Sequence, residues 1–152
     1  MTYRQIVQKI IDSLNADASM KDAEQAGGPG SAGMMKWHFG RPVNLSGLPT
    51  PFGYVQFNGR DATGHSNVSQ ILYDLRFEIG IVDQAAVEDD AEKSVYDKIE
   101  SVETVLLADK TLGGLVDDEG KTPYAVQVFD VPSKNYARRL IALNYVARRW
   151  MS

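Results

Sequence analysis

The 152 residues are 43% hydrophobic and 24% charged, which predicts one soluble globular domain over residues 1–152. The chain contains no cysteine, which excludes disulfides and thiolate metal sites and suits assembly in a reducing cytoplasm, and it has no apolar run of about 18 residues that would span a membrane. Its net charge of −4 argues against a dedicated nucleic-acid-binding protein, because such proteins usually carry a basic excess.

The first predicted element is an amphipathic helix over residues 2–16. Its apolar side chains recur at helical spacing and form one stripe, which consists of Tyr3, Ile6, Val7, Ile10, Ile11 and Leu14. The glycine-rich segment 19–33 follows, and its composition predicts a flexible loop. A phosphate-binding P-loop is excluded there, because no Gly-Lys-Ser/Thr sequence follows the glycines.

Three segments in the middle of the chain are candidate strands. Residues 34–44 fit either a short strand or an irregular packed segment. Residues 51–59 are aromatic and β-branched between Pro and Gly, which predicts a strand followed by a loop over 59–67. From Ile71 to Ile81 every second residue is apolar, which predicts a half-buried antiparallel strand over residues 71–82. Its water-facing side carries Asp74, Arg76 and Glu78.

A second helix is predicted from Glu88 to Asp109, and two further strands follow it. Glu88, Asp89 and Asp90 place negative charge in the first helical turn, where the helix dipole favours it. The helix is expected to end before Gly113 and Gly114. A strand is predicted over residues 124–131, between two prolines, and the last predicted element spans residues 135–150.

The last segment, "YARRLIALNYVARRW", carries an arginine pair at each end. Arg138 and Arg148 are ten residues apart, as are Arg139 and Arg149, so in a strand the members of each pair share a face. On a helix they would lie about 80° apart, with no continuous basic stripe. The alternating apolar middle favours the strand. The predicted order is therefore α-β-β-α-β-β, an α+β fold in which two helices cover one face of an antiparallel sheet.

No catalytic or metal-binding arrangement is apparent in the sequence. His38 and His65 have no partner at the spacing that metal ligands use, and the run 117–119 lacks the oxygen-ligand spacing of an EF-hand. There is neither a Gly-x-Ser-x-Gly motif nor a dinucleotide-binding fingerprint. We therefore predict a protein that is not an enzyme and has no cofactor or metal.

Charge is segregated along the chain. Residues 83–119 carry twelve acidic and three basic side chains, whereas residues 134–149 carry five basic and no acidic ones. These segments can pair within one chain or between copies. We hypothesise that the four arginines of the last strand meet the acidic start of the second helix (Asp89, Asp90 and Glu92) on the next copy of a ring.

The stretch "AEKSVYDKIESVETVLLADKTLGGLV", residues 91–116, together with the closing strands after "TPYAVQVFD", resembles the tail terminator (tail completion) proteins of long-tailed bacteriophages. The likeness covers somewhat under half of the chain and lies in element order and a loose motif. It implies a structural virion protein without catalytic residues. The long segment 19–33 departs from the simplest members of that family.

The resemblance implies a homomeric ring, usually a hexamer, that caps the completed tail tube, ends its polymerisation and joins the tail to the neck proteins of the head. The implied partners are other copies, the tube protein and the connector proteins, with DNA only passing through the channel and no membrane. The expected location is the virion, after assembly in the host cytoplasm. The implied roles of charged surfaces are contacts between subunits, contacts with the tube, and channel lining. Asp74, Arg76 and Glu78 are included among the candidate interface residues.

Two alternatives stay open. A head–tail connector or head-closure protein is also a small ring former, and the sequence separates it poorly from a terminator. A small nucleic-acid-binding module would instead use the four arginines with nearby Tyr136, Tyr145 and Trp150.

Overall fold

The computed structural model describes residues 3–17, 35–117, 125–134 and 136–152, and the predicted loop at 19–33 lies outside them. Seven elements occur in the described part of the chain. In order they are α1 (Tyr3–Ala16), β1 (Lys36–Phe39), β2 (Phe52–Ser66), β3 (Ile71–Ala85), α2 (Glu88–Ala108), β4 (Ala125–Val131) and β5 (Ala137–Met151). The α+β class and the two predicted helices are confirmed.

The centre of the sheet is the antiparallel pair β3–β5. The five strands have the order β1-β2-β3-β5-β4, and β3 pairs with β5 along its whole length, from Ile71 opposite Met151 to Ala85 opposite Ala137. The segment with the two arginine pairs is thus a strand, as predicted. The apolar middle of β5 is buried on both faces, because Ile141 and Leu143 pack in the core shared with the helices and Leu140 packs beneath Leu45 and Leu48 on the other face.

The prediction of an antiparallel sheet is confirmed in part: three of the four described strand pairs are antiparallel, but β1 runs parallel to β2. Lys36 lies opposite Phe52 and Phe39 opposite Val55 in parallel register. The chain leaves β1, crosses one face of the sheet through residues 40–51, and returns in the same direction as β2. A parallel pair requires such a crossover. Residues 41–50 of this crossover, which we call the 41–50 segment, also supply Leu45 and Leu48 to a second core.

The predicted loop over 59–67 is also wrong, because β2 continues through it to Ser66. Its outer half keeps pairing with β3, with Arg60 opposite Leu75 and Asp61 opposite Asp74. Register shifts occur between Phe57 and Gly59 and again between Ala62 and Ser66, and Gly59 adopts a positive φ of 115°. A β-bulge disrupts the ladder only locally, so this glycine-containing part of β2 stays paired with β3. This half is largely exposed, so its sequence lacks the apolar alternation that marks a strand.

Both helices pack on one face of the sheet, which we call the helix face. The stripe predicted for α1 is buried at Ile6, Val7, Ile10, Ile11 and Leu14, while α2 buries Ala91, Val95, Ile99, Val102 and Leu106. They share one core with the odd-numbered apolar residues of β3 and β5, among them Phe77, Ile79 and Leu143. Each such side chain contributes about 1.5–3 kcal/mol by its burial.

The opposite face, which we call the open face, is covered over only part of its area. Phe52, Tyr54, Val82, Val131 and Leu140 pack there beneath the 41–50 segment. Tyr54 is fully buried, and its ring lies directly over Gly80 of β3. A Cβ atom at position 80 would collide with that ring, so the glycine is required by close approach.

We predict that Gly80→Ala lowers the free energy of unfolding by about 1–3 kcal/mol, because the added methyl group displaces the Tyr54 ring. Urea denaturation measures this. The double variant Gly80→Ala/Tyr54→Ala has no ring to displace, so its loss should be smaller than the sum of the two single losses. Additive losses would contradict the proposed contact.

Candidate functional site

Arg138, at the start of β5, is enclosed within the subunit. Only 6% of it is exposed, on the open face of the sheet. Its Nη1 donates to the carbonyl oxygens of Leu45 (2.7 Å) and Leu48 (3.0 Å), and its Nε and Nη2 donate to Oε1 of Gln84. Burial lowers the pKa of Arg138, and the negative charge of Asp83 opposes that shift. Its side chain therefore ties the 41–50 segment to the sheet.

Arg139 points to the helix face and meets three acidic side chains of its own chain. Its guanidinium lies 2.8 Å from Asp130 on β4, 3.5 Å from Glu92 and 3.7 Å from Glu88 on α2, and the arginine side chain is 11% exposed. The sequence allowed the basic strand to pair with the acidic helix within one chain or between copies. For Arg139 the pairing with Glu92 is within the chain.

At the other end of β5 the second arginine pair also has partners nearby. The Nε of Arg148 lies 3.0 Å from Asp74 directly across the ladder, on the open face. Arg149 lies on the helix face and donates to the carbonyl oxygen of Leu115 in the turn after α2. The predicted distribution is confirmed: Arg138 and Arg148 share one face, and Arg139 and Arg149 share the other.

The charged row of β3 lies on the open face, where the Arg76 side chain is 53% exposed but those of Asp74 and Glu78 are only 14% and 19% exposed. Asp74 pairs with Arg148, the exposed Arg76 lies 3.1 Å from Asp61 on β2, and Glu78 accepts a hydrogen bond from the hydroxyl of Tyr54 at 2.5 Å. Glu78 also lies 3.6 Å from Arg41, whose guanidinium stands over the Tyr54 ring. The row predicted to face water is therefore a set of cross-strand pairs and not a patch of one charge.

Asp89 and Asp90 are exposed in the first turn of α2, as predicted. Val87 precedes the helix without making a side-chain capping bond, so these carboxylates and Glu88 are the compensation for the positive end of the helix dipole. The structure brings Glu92 to Arg139 but leaves Asp89 and Asp90 at the surface. Their assignment to a contact between copies stays a prediction.

The sequence did not reveal the network of Tyr54, Glu78 and Arg41. Burial, together with the hydrogen bond to Glu78, raises the pKa of the Tyr54 hydroxyl. The three residues come from β2, β3 and the 41–50 segment, which are distant in the chain. A signal was nevertheless present, since Gly80 interrupts an otherwise side-chain-rich strand and indicates a large neighbour.

A cleft of about 370 Å³ opens between the 41–50 segment and β4, lined on opposite sides by Val43 and Phe129. Within the described ranges, no group of three or more His, Asp or Glu side chains is arranged to hold a metal ion. Over the same part of the chain, neither helix has the length and apolar run needed to cross a bilayer.

No protein-family model matches the chain, and no curated protein matches its sequence.

Replacing Arg138 with Met should lower the free energy of unfolding by about 2–4 kcal/mol, because the carbonyl oxygens of Leu45 and Leu48 lose their buried donor. The matched control is Arg76→Met, which breaks an exposed ion pair with Asp61 and should cost about 1 kcal/mol or less. Chemical denaturation of the two variants measures the difference. Equal losses would contradict the role given to Arg138.

The raised pKa of Tyr54 predicts a loss of stability at alkaline pH. Above about pH 10 the unfolded chain releases this proton while the folded chain retains it, so the free energy of unfolding falls as the pH rises. Tyr54→Phe keeps the ring over Gly80 but removes the proton. We expect its stability to fall less steeply than that of the wild type, by up to about 1.4 kcal/mol per pH unit. Parallel pH profiles from urea titrations would contradict this.

Proposed function

We propose that the protein is a structural component of a bacteriophage virion, a tail terminator that forms a ring on the completed tail tube. In this proposal the ring stops tube polymerisation and joins the tail to the neck proteins of the head. Its partners are other copies of itself, the tube protein and the connector proteins, and DNA passes through its channel. The proposal assigns it no catalytic activity, metal or cofactor, and no membrane contact.

The observation that carries the proposal is the folded form of residues 91–116, the stretch on which the resemblance rests. This stretch forms most of α2 and then the turn that contains Gly113 and Gly114, both with positive φ. Leu112 and Val116 of that turn are buried in the same core as α2. The motif therefore supplies a packed structural unit, which agrees with a family defined by architecture rather than by catalytic residues.

Two further features support an assembling protein. The outer half of β2 and the turn that follows it form an exposed arm, in which Val68 at the tip is fully accessible. An arm of this length exceeds what one small core requires. The described sheet also ends in two strands, β1 and β4, that have a neighbour on one side only. Such edges are sites at which further chains pair.

The alternative of a nucleic-acid-binding module loses its main support. Arg138 is enclosed by backbone carbonyl groups, and Arg139 is neutralised by acidic side chains of the same chain. A head–tail connector remains compatible with every feature above. The two ring-forming functions differ in what the ring binds, so binding has to be measured.

The test uses the tube protein of the phage that carries this gene. Tubes polymerised with the protein present should be limited in length and carry a ring at one end in negative-stain electron micrographs. The free protein should be a hexamer of about 100 kDa, six times the 16.8 kDa chain, or a monomer that forms rings on tubes. An unrelated acidic protein of similar size is the control.

A stable monomer that never binds the tubes would contradict the tail assignment. A ring that binds connector proteins but leaves tube length unchanged would favour the head–tail connector. Binding to double-stranded DNA that weakens steeply with salt, and weakens further when the arginines are replaced, would favour the nucleic-acid module.

A further inference from the structure

The last strand of the sheet, β4, lies beyond the cover of the helices. The helix α2 packs on β3 and β5, whereas β4 contacts β5 alone among the described elements. Val126 and Val128 lie opposite Leu143 and Ile141, so they point to the helix face, yet they are 39% and 37% exposed. On the open face, Phe129 is 45% exposed. This strand thus has apolar side chains in water on both faces.

The side of α2 that faces β4 is identified by Arg139, which bridges Glu92 on the helix and Asp130 on the strand. Tyr96 donates a hydrogen bond to Glu92 at 2.6 Å and lies one turn further along. Residues 103 and 107 follow about three and about four turns after Glu92, so helical geometry places them on the same flank. Lys98, which pairs with Asp83 on β3, marks the opposite flank.

These residues form one surface, which we call the acidic edge. It consists of Glu92, Tyr96, Glu103 and Leu107 of α2 with Val126 and Val128 of β4. Tyr96 and Leu107 are 43% and 47% exposed. Monomeric proteins commonly protect an edge strand with lysine, proline or a bulge, but β4 reads Ala-Val-Gln-Val-Phe-Asp-Val and pairs with β5 without a register shift. An open apolar edge beside an acidic flank indicates a protein contact.

Charge decides which surface covers the acidic edge. Together α2 and β4 carry eight acidic and two basic side chains, so two acidic edges placed against each other would repel. At the other end of the sheet, α1 and β1 together carry three basic and one acidic side chain. That end is the complementary surface within this chain.

The complementary surface, which we call the basic edge, consists of Arg4 on α1 and Lys36 and Phe39 on β1. Lys9 lies beside Gly113 in the turn after α2, so Arg4 is on the flank of α1 that points away from α2. Phe39 is 53% exposed on the terminal strand β1. This edge therefore carries positive charge and an apolar side chain beside a strand that has one neighbour among the described strands.

We infer that the acidic edge of one copy binds the basic edge of the next copy, head to tail, with β4 beside β1. The inference deepens the proposed function, and it rests on that function for the closure of the copies into a ring. A contact between two different surfaces forms a closed ring when the rotation from one copy to the next permits it. It replaces the arginines of β5 as the intersubunit contact. Exposed apolar side chains supply affinity, and the opposite charges set register and exclude pairing of like edges.

The experiment reverses charge on each edge separately. The acid-reversed variant is Asp89→Lys/Glu103→Lys, in which Asp89 lies about one turn before Glu92 on the same flank, and the basic-reversed variant is Arg4→Glu/Lys36→Glu. The matched control is Asp90→Lys/Asp97→Lys, which makes the same charge change on the outward side of α2. Sedimentation velocity measures self-association. We expect each reversed variant to associate at least tenfold more weakly than the wild type, and the control to match it.

Mixing the two reversed variants in equal amounts should restore assembly, because each then meets an opposite charge on the other. Restoration also shows that both variants are folded. Assembly of the acid-reversed variant at wild-type strength, or no restoration on mixing, would overturn the inference. Loss of assembly in the acid-reversed variant alone would instead indicate pairing of two identical edges, which also overturns it.

The outcomes separate this contact from the proposed function. If wild-type rings cap tubes and neither charge reversal affects assembly, the contact is contradicted and the tail-terminator function is supported. If the wild type self-associates through both edges but does not bind tubes, the contact is supported and the tail-terminator function is contradicted.

Discussion

The adjacent residues Arg138 and Arg139 hold the two sides of this fold together. Because neighbouring side chains of a strand point to opposite faces, one dipeptide at the start of β5 reaches both layers. Arg138 binds the backbone of the 41–50 segment on the open face, and Arg139 binds α2 and β4 on the helix face. The crossover, the second helix and the edge strand are all anchored at this point, and each charge is neutralised or hydrogen-bonded where it is buried.

This anchoring changes how the segregated charge is used. The basic last strand compensates part of the acidic helix inside each subunit, through the contacts of Arg139 with Glu88 and Glu92. The excess of acid remains on the flank of α2 beside β4, where neither described helix covers the sheet. In the contact that we infer between copies, assembly depends on the two ends of the sheet rather than on the ends of β5. The exposed charge there adds little stability to a subunit but can determine which surfaces meet.

The elements with a strong local pattern could be predicted from the sequence, and those defined by distant contacts could not. Apolar residues at every second position predicted β3, and helical spacing predicted the buried side of α1, because one face of each is in the core. The outer half of β2 has no core to face, so it carries no apolar alternation and its sequence predicts a loop. The parallel direction of β1 depends on the crossover, and the burial of Arg138 depends on Leu45 and Leu48, about ninety residues earlier.

The most direct test of this account is amide hydrogen exchange of the wild-type protein, measured by mass spectrometry in its dissociated and assembled states. We predict that assembly slows exchange in β4 and β1, where edge backbone groups acquire partners, and leaves the two ends of β5 unchanged because they are already bonded within the subunit. Slower exchange at the arginine-bearing ends of β5, with none in β4 or β1, would contradict the account.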